Sequence, residues 1–205
     1  MSDSGQSGRA ANGWLEGWLR RPNRAVPSRP LVIKLGGSLL NRSSWPILLG
    51  DLIAAESTGQ RPVHLIVGGG PLVDGLRQLD QVEPQPAEQM HRLAIAAMSL
   101  TADIVAQRLG LSCVTDVTAA TPSVLDIGHS SACLAAISGL PCGWTVTSDS
   151  IAAAVAASIG AELLVVKSVA PSGSAIEPLV EAGWLDGYFV TASSSLTAIR
   201  WATPI

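Results

Sequence analysis

The chain has 205 residues, of which 47% are apolar and 14% are charged, and its formal net charge is −3. This length and apolar content suit one folded domain with a sizeable core and exclude a disordered or fibrous chain. The small negative charge and the 4% aromatic content argue against nucleic acid as a partner. No apolar run reaches the roughly 18 residues of a membrane-spanning helix, so we expect no membrane partner either.

The N-terminal segment, residues 1–29, differs in composition from the rest of the chain. Five of the eleven arginines lie before residue 31, together with Trp14-Leu15 and Trp18-Leu19, two pairs one helical turn apart. We predict a flexible, arginine-rich extension in which one helical turn docks the tryptophans on the body of the protein. The alternative is a short helix that binds a partner or a membrane surface. The N-terminus lacks the apolar stretch of a secretory signal, which favours a cytoplasmic location.

From residue 30 onward, short apolar runs alternate with longer amphipathic stretches, a pattern typical of a parallel sheet covered by helices. The predicted strands are 31–35, 62–67, 112–116, 123–125, 162–166 and 197–201. The predicted helices are 44–56, 71–79, 86–109, a stretch between 129 and 139, 151–159 and 177–184. These elements predict an α/β domain over residues 30–205, a three-layer αβα sandwich with an open, mainly parallel sheet.

The predicted helix 86–109 has apolar and small residues around more than one face. One sheet surface cannot cover all of them, so we predict a homo-oligomer.

Two glycine clusters follow the first two predicted strands. They are Gly36-Gly37-Ser38 and Gly68-Gly69-Gly70. Glycines at the carboxyl ends of parallel strands let the backbone approach a ligand, and the helix after each cluster offers its N–H groups to anionic oxygens. Both clusters therefore suit phosphate, although neither has P-loop or dinucleotide-fingerprint spacing. The alternative is a pair of tight strand-to-helix turns.

Lysine usage is more informative than glycine, because the chain has only two lysines against eleven arginines. Lys34 and Lys167 both lie at or next to the carboxyl end of a predicted central strand. An ammonium group on a flexible stem is a suitable point charge for a phosphoryl group in transfer. Asp149 could hold both ammonium groups, or could simply cap its helix. The alternative for the lysines is two strand-end side chains that extend into solvent.

Other polar residues give weaker signals. His91 lies on the long helix and is either a core histidine or a substrate contact. Asp74, in the first turn after the second glycine cluster, is a helix-dipole residue or a substrate contact. His64 and His129 have no metal or triad spacing, and the three cysteines are interpreted as reduced packing residues.

At this point the sequence resembles the amino acid kinases, a family that includes acetylglutamate, aspartate, glutamate-5, uridylate and carbamate kinases. The resemblance covers about residues 30–205 and is carried by Lys34-x-Gly36-Gly37-Ser38, Val67-Gly68-Gly69-Gly70, Ser148-Asp149 and the strand Leu163 to Lys167. A narrower similarity, in residues 140–153 and 166–169, is to short members that act as 5-(aminomethyl)-3-furanmethanol phosphate kinase in methanofuran synthesis. The chain stops soon after Trp201, which implies a shortened C-terminal nucleotide lobe.

The resemblance implies a role for each of these residues. Lys34, Asp149 and Lys167 would be catalytic, with Asp149 orienting the two lysines, and Gly36, Gly37 and Ser38 would hold the phosphates of ATP. The substrate side would consist of Gly68, Gly69, Gly70, Asp74, His91 and Ser148. Mg²⁺ would be held mainly by the ATP phosphates rather than by a protein metal site.

The leading functional hypothesis is therefore a kinase that moves the γ-phosphoryl group of ATP onto a small acidic or phosphorylated acceptor, since such chemistry needs positioning and charge neutralisation more than a base. The acceptor could be the phosphate of an aminomethylfuran in methanofuran-type cofactor synthesis. The alternative is a non-catalytic relative that binds nucleotide or another anion as a regulatory or assembly subunit. A dehydrogenase-like domain is disfavoured because the dinucleotide fingerprint is missing.

Overall fold

The fold is built around one twisted sheet, seen in a computed structural model that describes residues 9–11, 13–24, 26–57 and 61–205. Its strands are β1 (Arg9–Ala11), β2 (Trp14–Arg20), β3 (Leu31–Leu35), β4 (Val63–Val67), β5 (Ser112–Val114), β6 (Ser123–Leu125), β7 (Glu162–Val166) and β8 (Ile199–Pro204). Its α-helices are α1 (Trp45–Ser57), α2 (Gly70–Val82), α3 (Ala87–Leu109), α4 (Ser131–Ile137), α5 (Ser148–Ser158), α6 (Ile176–Glu181) and α7 (Phe189–Ala192). A 3₁₀ helix, Gly37–Asn41, follows β3.

The strand order is β1-β2-β8-β7-β3-β4-β6-β5. All neighbours from β8 to β5 run parallel, and β1 and β2 add an antiparallel edge. In the centre, Leu35 of β3 lies beside Val67 of β4 and Val166 of β7. The carboxyl ends of these three strands are therefore level with one another.

Helices cover both faces of the sheet, because the side chains of a strand alternate between them. Leu31, Ile33 and Leu35 of β3 pack in a core with α1 and the C-terminal half of α3. Val32 packs in the other core, with α4, α5, α6 and α7. Lys34 lies on the same face as Val32, and this alternation directs it toward α5. The predicted αβα sandwich with a mainly parallel sheet is confirmed.

The structure corrects the prediction for the N-terminal segment. Trp14 and Trp18 lie in β2, which pairs with β8 through Gly17 opposite Trp201, and do not lie in a helical turn. A spacing of four residues also puts two side chains on one face of a strand, so the tryptophan repeat fits both structures. The prediction of a flexible extension also covers residues 1–8, 12 and 25, which lie outside the described residues.

Two smaller corrections concern α7 and the cysteines. Helix α7 is short, and no predicted element corresponds to it. Cys133 is buried, but Cys113 and Cys142 are exposed and are not packing residues. No helix in the described part of the chain is long and apolar enough to cross a membrane.

A network of charged side chains lies near the amino ends of β7 and β8. Arg200 of β8 lies 2.5 Å from Glu162 of β7, 2.6 Å from Glu56 of α1 and 3.6 Å from Glu16 of β2. Arg61 contacts Glu56 at 2.5 Å. Burial acts to raise the pKa of Glu56, but the two arginines outweigh it and hold that pKa below its ordinary value of 4.5. The network ties three strands to α1.

Candidate functional site

A cavity of about 600 Å³ opens at the carboxyl ends of β3, β4 and β7. Gly36, Gly68 and Lys167 lie at this one edge of the sheet, because each directly follows one of these strands. The cavity is lined by all the residues to which the sequence analysis gave a catalytic, phosphate-binding or substrate-binding role: Lys34, Gly36, Gly37, Ser38, Gly68, Gly69, Gly70, Asp74, His91, Ser148, Asp149 and Lys167.

The backbones of the two glycine clusters pack directly against each other. A Cβ atom on Gly37 would lie 2.5 Å from the N and Cα atoms of Gly70, and one on Gly68 would lie 2.9 Å from the Ser148 hydroxyl. Gly70 also has a positive φ of 51°, in the region that side chains disfavour. These positions need glycine because each loop occupies the space that a side chain of the other would fill.

Each glycine cluster begins a helix whose first turn has no side-chain cap. Gly36 is the N-cap of the 3₁₀ helix and Gly69 is the N-cap of α2, and neither has a side chain to accept a hydrogen bond. The Gly36 and Gly68 amides continue the sheet, donating to Val166 and Leu35 at 2.8 Å. First-turn N–H groups have no acceptor within their own helix, so those that follow Gly36 and Gly69 suit anionic oxygens such as those of phosphate.

The Asp149 carboxylate lies between the two lysines. Its Oδ1 atom is 2.5 Å from Nζ of Lys34, and its Oδ2 atom accepts a hydrogen bond of 2.7 Å from Nζ of Lys167. The side chains of Lys34 and Asp149 are each 5% exposed and that of Lys167 is 18% exposed. Two cations therefore share one anion in a nearly dry environment.

Burial and charge act in opposite directions on this trio. Burial acts to raise the pKa of Asp149, but Lys34 and Lys167 outweigh it and hold that pKa below its ordinary value. The pKa of Lys167 is also lowered, first by burial and then by the positive charge of Lys34, against the opposing effect of Asp149. The carboxylate is thus firmly ionised, and Asp149 counters the loss of the Lys167 proton.

Asp149 is free for the lysines because a different residue caps α5. Thr147 is the N-cap, and its hydroxyl accepts a 3.4 Å hydrogen bond from the Asp149 amide. Asp186 in turn accepts hydrogen bonds from the amide and hydroxyl of Thr147, at 2.8 and 2.9 Å, and from the amide and hydroxyl of Ser150. The interpretation of Asp149 as a simple helix cap is wrong, and Asp186 is a positioning residue that the sequence analysis missed.

Trp184 covers Lys167 and was also missed. The Lys167 ammonium donates to the Trp184 carbonyl oxygen and lies 4.9 Å from the centre of its ring. The indole N–H donates to the carbonyl oxygen of Val169 at 2.8 Å. Through these contacts, Trp184 is bound both to Lys167, at the end of β7, and to Val169, in the segment that follows it. Nearby, the hydroxyls of Ser38 and Ser168 lie 3.0 Å apart and link that segment to the first glycine cluster.

The far end of the cavity combines an arginine, two carboxylates and an indole. Arg77 pairs with Asp74 at 2.9 Å and lies 5.1 Å from the ring centre of Trp144, whose N–H donates to Asp80 at 2.7 Å. His91 also lines the cavity, and burial lowers its pKa, so its imidazole is neutral at neutral pH. This end can therefore contact both an anion and a cation on one small ligand.

The two remaining histidines lie elsewhere. His64 is buried in β4 with its Nδ1 atom 3.1 Å from the Ser123 hydroxyl, and His129 lies 2.8 Å from a carboxylate oxygen of Asp126. Neither lines the cavity.

The sequence model described as the amino acid kinase family matches residues 29–170. No match appears among curated protein sequences.

Solved structures share the fold at low sequence identity. Uridylate kinase from Archaeoglobus fulgidus aligns with a TM-score of 0.58 and 18% identity over 84% of this chain and 90% of that one. Aspartate kinase from Synechocystis aligns with a TM-score of 0.54 and 14% identity over 85% of this chain and 40% of that one. UMP kinase from Ureaplasma parvum aligns with a TM-score of 0.53 and 13% identity over 87% of this chain and 100% of that one.

Proposed function

Because the chain belongs to the amino acid kinase family, we propose that it is a kinase that transfers the γ-phosphoryl group of ATP to a small acidic acceptor. The matched region, residues 29–170, includes all the cavity residues chosen from the sequence. The observation that supports the proposal most is that Asp149 holds the buried Lys34 and the partly buried Lys167 between two uncapped helix starts. This arrangement suits the transfer of a highly charged group.

The donor side of the proposed reaction lies at the first glycine cluster. Gly37 and Ser38 would hold the β- and γ-phosphates through first-turn N–H groups, and Gly36, whose own N–H is bonded to Val166, would let the backbone approach them next to Lys34. ATP, bound with Mg²⁺ on its phosphates, would supply the phosphoryl group. Lys34 and Lys167 would neutralise charge on that group as its bond to the leaving phosphate breaks, and Asp149 would hold both ammonium groups in place.

The acceptor side lies at the second glycine cluster. The uncapped start of α2 at Gly70 and the guanidinium of Arg77 would bind an acceptor phosphate. Such a phosphate is already ionised and needs no general base to attack. Asp74 and Asp80 at the same end would suit an amine on the acceptor, so the finer proposal is a small aminomethyl phosphate, with the phosphate of an aminomethylfuran as the first candidate.

We also propose that the protein forms a homo-oligomer through α3. Leu100 and Ile104, one turn apart on that helix, have 61% and 54% of their surface exposed. A second copy would cover this apolar strip. Sedimentation at micromolar concentration tests the proposal, and a monomer would contradict it.

The kinase proposal is tested by ³¹P NMR of the purified protein with Mg-ATP and a panel of small phosphate monoesters, including 5-(aminomethyl)-3-furanmethanol phosphate. Transfer would show as loss of the ATP γ signal and growth of two pairs of coupled diphosphate signals, one from ADP and one from the phosphorylated acceptor, whereas hydrolysis would give ADP and inorganic phosphate. The same panel with Lys167→Ala is the control for contaminating kinases. Stabilisation by Mg-ATP without transfer to any acceptor would overturn the proposal and favour a non-catalytic nucleotide-binding protein.

A further inference from the structure

A second cavity, of about 410 Å³, lies between the segment after β2 and the segment that precedes β8. Its wall includes four arginines, which are Arg20, Arg21, Arg24 and Arg29. No carboxylate is among its described lining residues. The chain as a whole has a net charge of −3, so this concentration of positive charge runs against its overall composition.

These four arginines have no anionic partner within the part of the chain that the structure describes. Among the described residues, the arginines in ion pairs are Arg61, Arg77 and Arg200, and none of them lines this cavity. Guanidinium groups gathered in a concave surface repel one another unless an anion lies between them. The cavity is therefore electrostatically complementary to a ligand with several negative charges.

Two of the four guanidinium groups are fixed in place by the protein. NH1 of Arg20 donates to the carbonyl oxygens of Ser193 and Leu196 at 2.6 and 2.7 Å, and NH1 of Arg29 donates to the Thr197 hydroxyl at 2.7 Å. A guanidinium has five N–H donors, so each keeps further donors for a ligand. Arg21 lies 5.9 Å from the ring centre of Trp18, in cation–π range. Part of the entropy cost of ordering these arginine side chains is therefore already met before a ligand binds.

This cavity is separate from the proposed kinase site. Thr197 lies just before β8, beside the amino end of β7, whereas Lys167 follows the carboxyl end of β7. The five residues of β7 separate the two sites by about 17 Å at about 3.3 Å per residue. A ligand in the second cavity would not occupy the first.

We propose that the second cavity binds a small polyanion with two or more phosphate groups, such as a linear polyphosphate or the phosphate chain of a nucleotide. Arginine forks match phosphate oxygens, and several phosphates are needed to engage four guanidinium groups. The concave wall and the volume favour a small ligand over a flat anionic surface such as a membrane. The site is independent of the kinase reaction.

The proposal is tested by isothermal titration calorimetry of the full-length protein with sodium tripolyphosphate. The test variant is Arg21→Gln/Arg24→Gln, which removes two exposed guanidinium groups and leaves the fixed Arg20 and Arg29. The matched control, Arg42→Gln/Arg108→Gln, removes two exposed arginines outside both cavities. Binding at the kinase site is common to all three proteins and cancels in the comparison.

We expect the test variant either to show no tripolyphosphate binding at the second cavity or to bind there at least tenfold more weakly. The dissociation constant of the control should change less than twofold. Equal binding by all three proteins would overturn the proposal. Arg24→Gln alone is the second variant if the pair lowers the melting temperature, and it should weaken the same class of sites at least threefold. Binding to phosphatidylglycerol vesicles without binding of tripolyphosphate would overturn the proposal in favour of a membrane surface.

Discussion

Asp149→Asn removes the negative charge between Lys34 and Lys167 and keeps the size of the side chain. In the native protein, each ammonium group lies against a different oxygen of this carboxylate, at 2.5 and 2.7 Å. The substitution leaves two buried ammonium groups that share no anion. It therefore tests whether Asp149 keeps Lys167 charged and holds the two lysines close together.

The expected magnitude follows from the geometry. Two nitrogen atoms on one carboxylate lie within about 7 Å of each other, and at an effective dielectric constant of about 20 their charges repel by about 2 kcal/mol. Removing one partner from a buried ion pair typically costs about 3–5 kcal/mol. Deprotonation of one lysine limits the cost, because the pKa of Lys167 is already lowered. We expect a loss of about 3 kcal/mol of unfolding free energy and a kcat lower by about 10²–10³.

Urea unfolding between pH 7 and pH 10 measures the first effect, and steady-state kinetics with Mg-ATP and the best acceptor measures the second. A lysine pKa that is depressed in the folded state makes stability rise with pH, because the unfolded chain then binds more protons than the native one. The difference in unfolding free energy between the native protein and Asp149→Asn should therefore become smaller as the pH increases. Asp51→Asn, on the exposed face of α1, is the control for a carboxylate-to-amide change.

An Asp149→Asn protein with native turnover and an unfolding free energy within about 1 kcal/mol of the native one would contradict this role of Asp149. Low turnover with unchanged stability would mean that Asp149 acts on the substrate and contributes little to holding the lysines.

Three further predictions concern other parts of the molecule. Lys34→Arg and Lys167→Arg should each lower kcat about as much as the alanine variants, since a planar fork cannot replace a compact ammonium, and native kcat in both would contradict this. Gly37→Ala should lower the melting temperature and abolish turnover, because its Cβ would lie 2.5 Å from the facing backbone, whereas Gly75→Ala, which meets nothing within 4 Å, should stabilise α2 by about 0.5–1 kcal/mol. The pKa of Glu56 is lower in the folded protein than its ordinary value of 4.5. The ionised Glu56 therefore contributes fully to stability above pH 4.5, and this contribution is lost as the pH falls through the pKa of the folded state. As the pH is lowered from 6 to 3, the unfolding free energy should therefore fall more steeply in the native protein than in Glu56→Gln. If it fell equally in both, the ionised Glu56 would not stabilise the fold through the two arginines.

The proposed site was largely predictable from the sequence because its parts follow strands. In a parallel sheet, the residue after each strand lies at the same edge, so Gly36, Gly68 and Lys167 had to meet once their strands were recognised. The scarcity of lysine then selected Lys34 and Lys167 from the other charged residues. The local sequence pattern and the positions of the strands were sufficient to predict that these residues belong to the site.

The contributions of Asp186 and Trp184 were not predictable, because they depend on how a later segment returns to the site. Asp186 lies 36 residues after Ser150, to which it is hydrogen-bonded, and Trp184 lies 17 residues after Lys167. Neither has a spacing that indicates a partner. Strand β2 was missed for a different reason, because the interval between Trp14 and Trp18 is compatible with a helix and with a strand.

The pairing of β2 with β8 joins two strands that are far apart in the sequence, and this has a consequence for biosynthesis. About 180 residues separate the two strands, and at about 5–20 residues per second a ribosome needs about 10–40 s to make them. During that time β2 cannot pair with β8, and its unpaired N–H and C=O groups can template pairing with a neighbouring nascent chain. Slower initiation, which spaces nascent chains apart on the messenger, should therefore raise the yield of protein in which β2 pairs with its own β8.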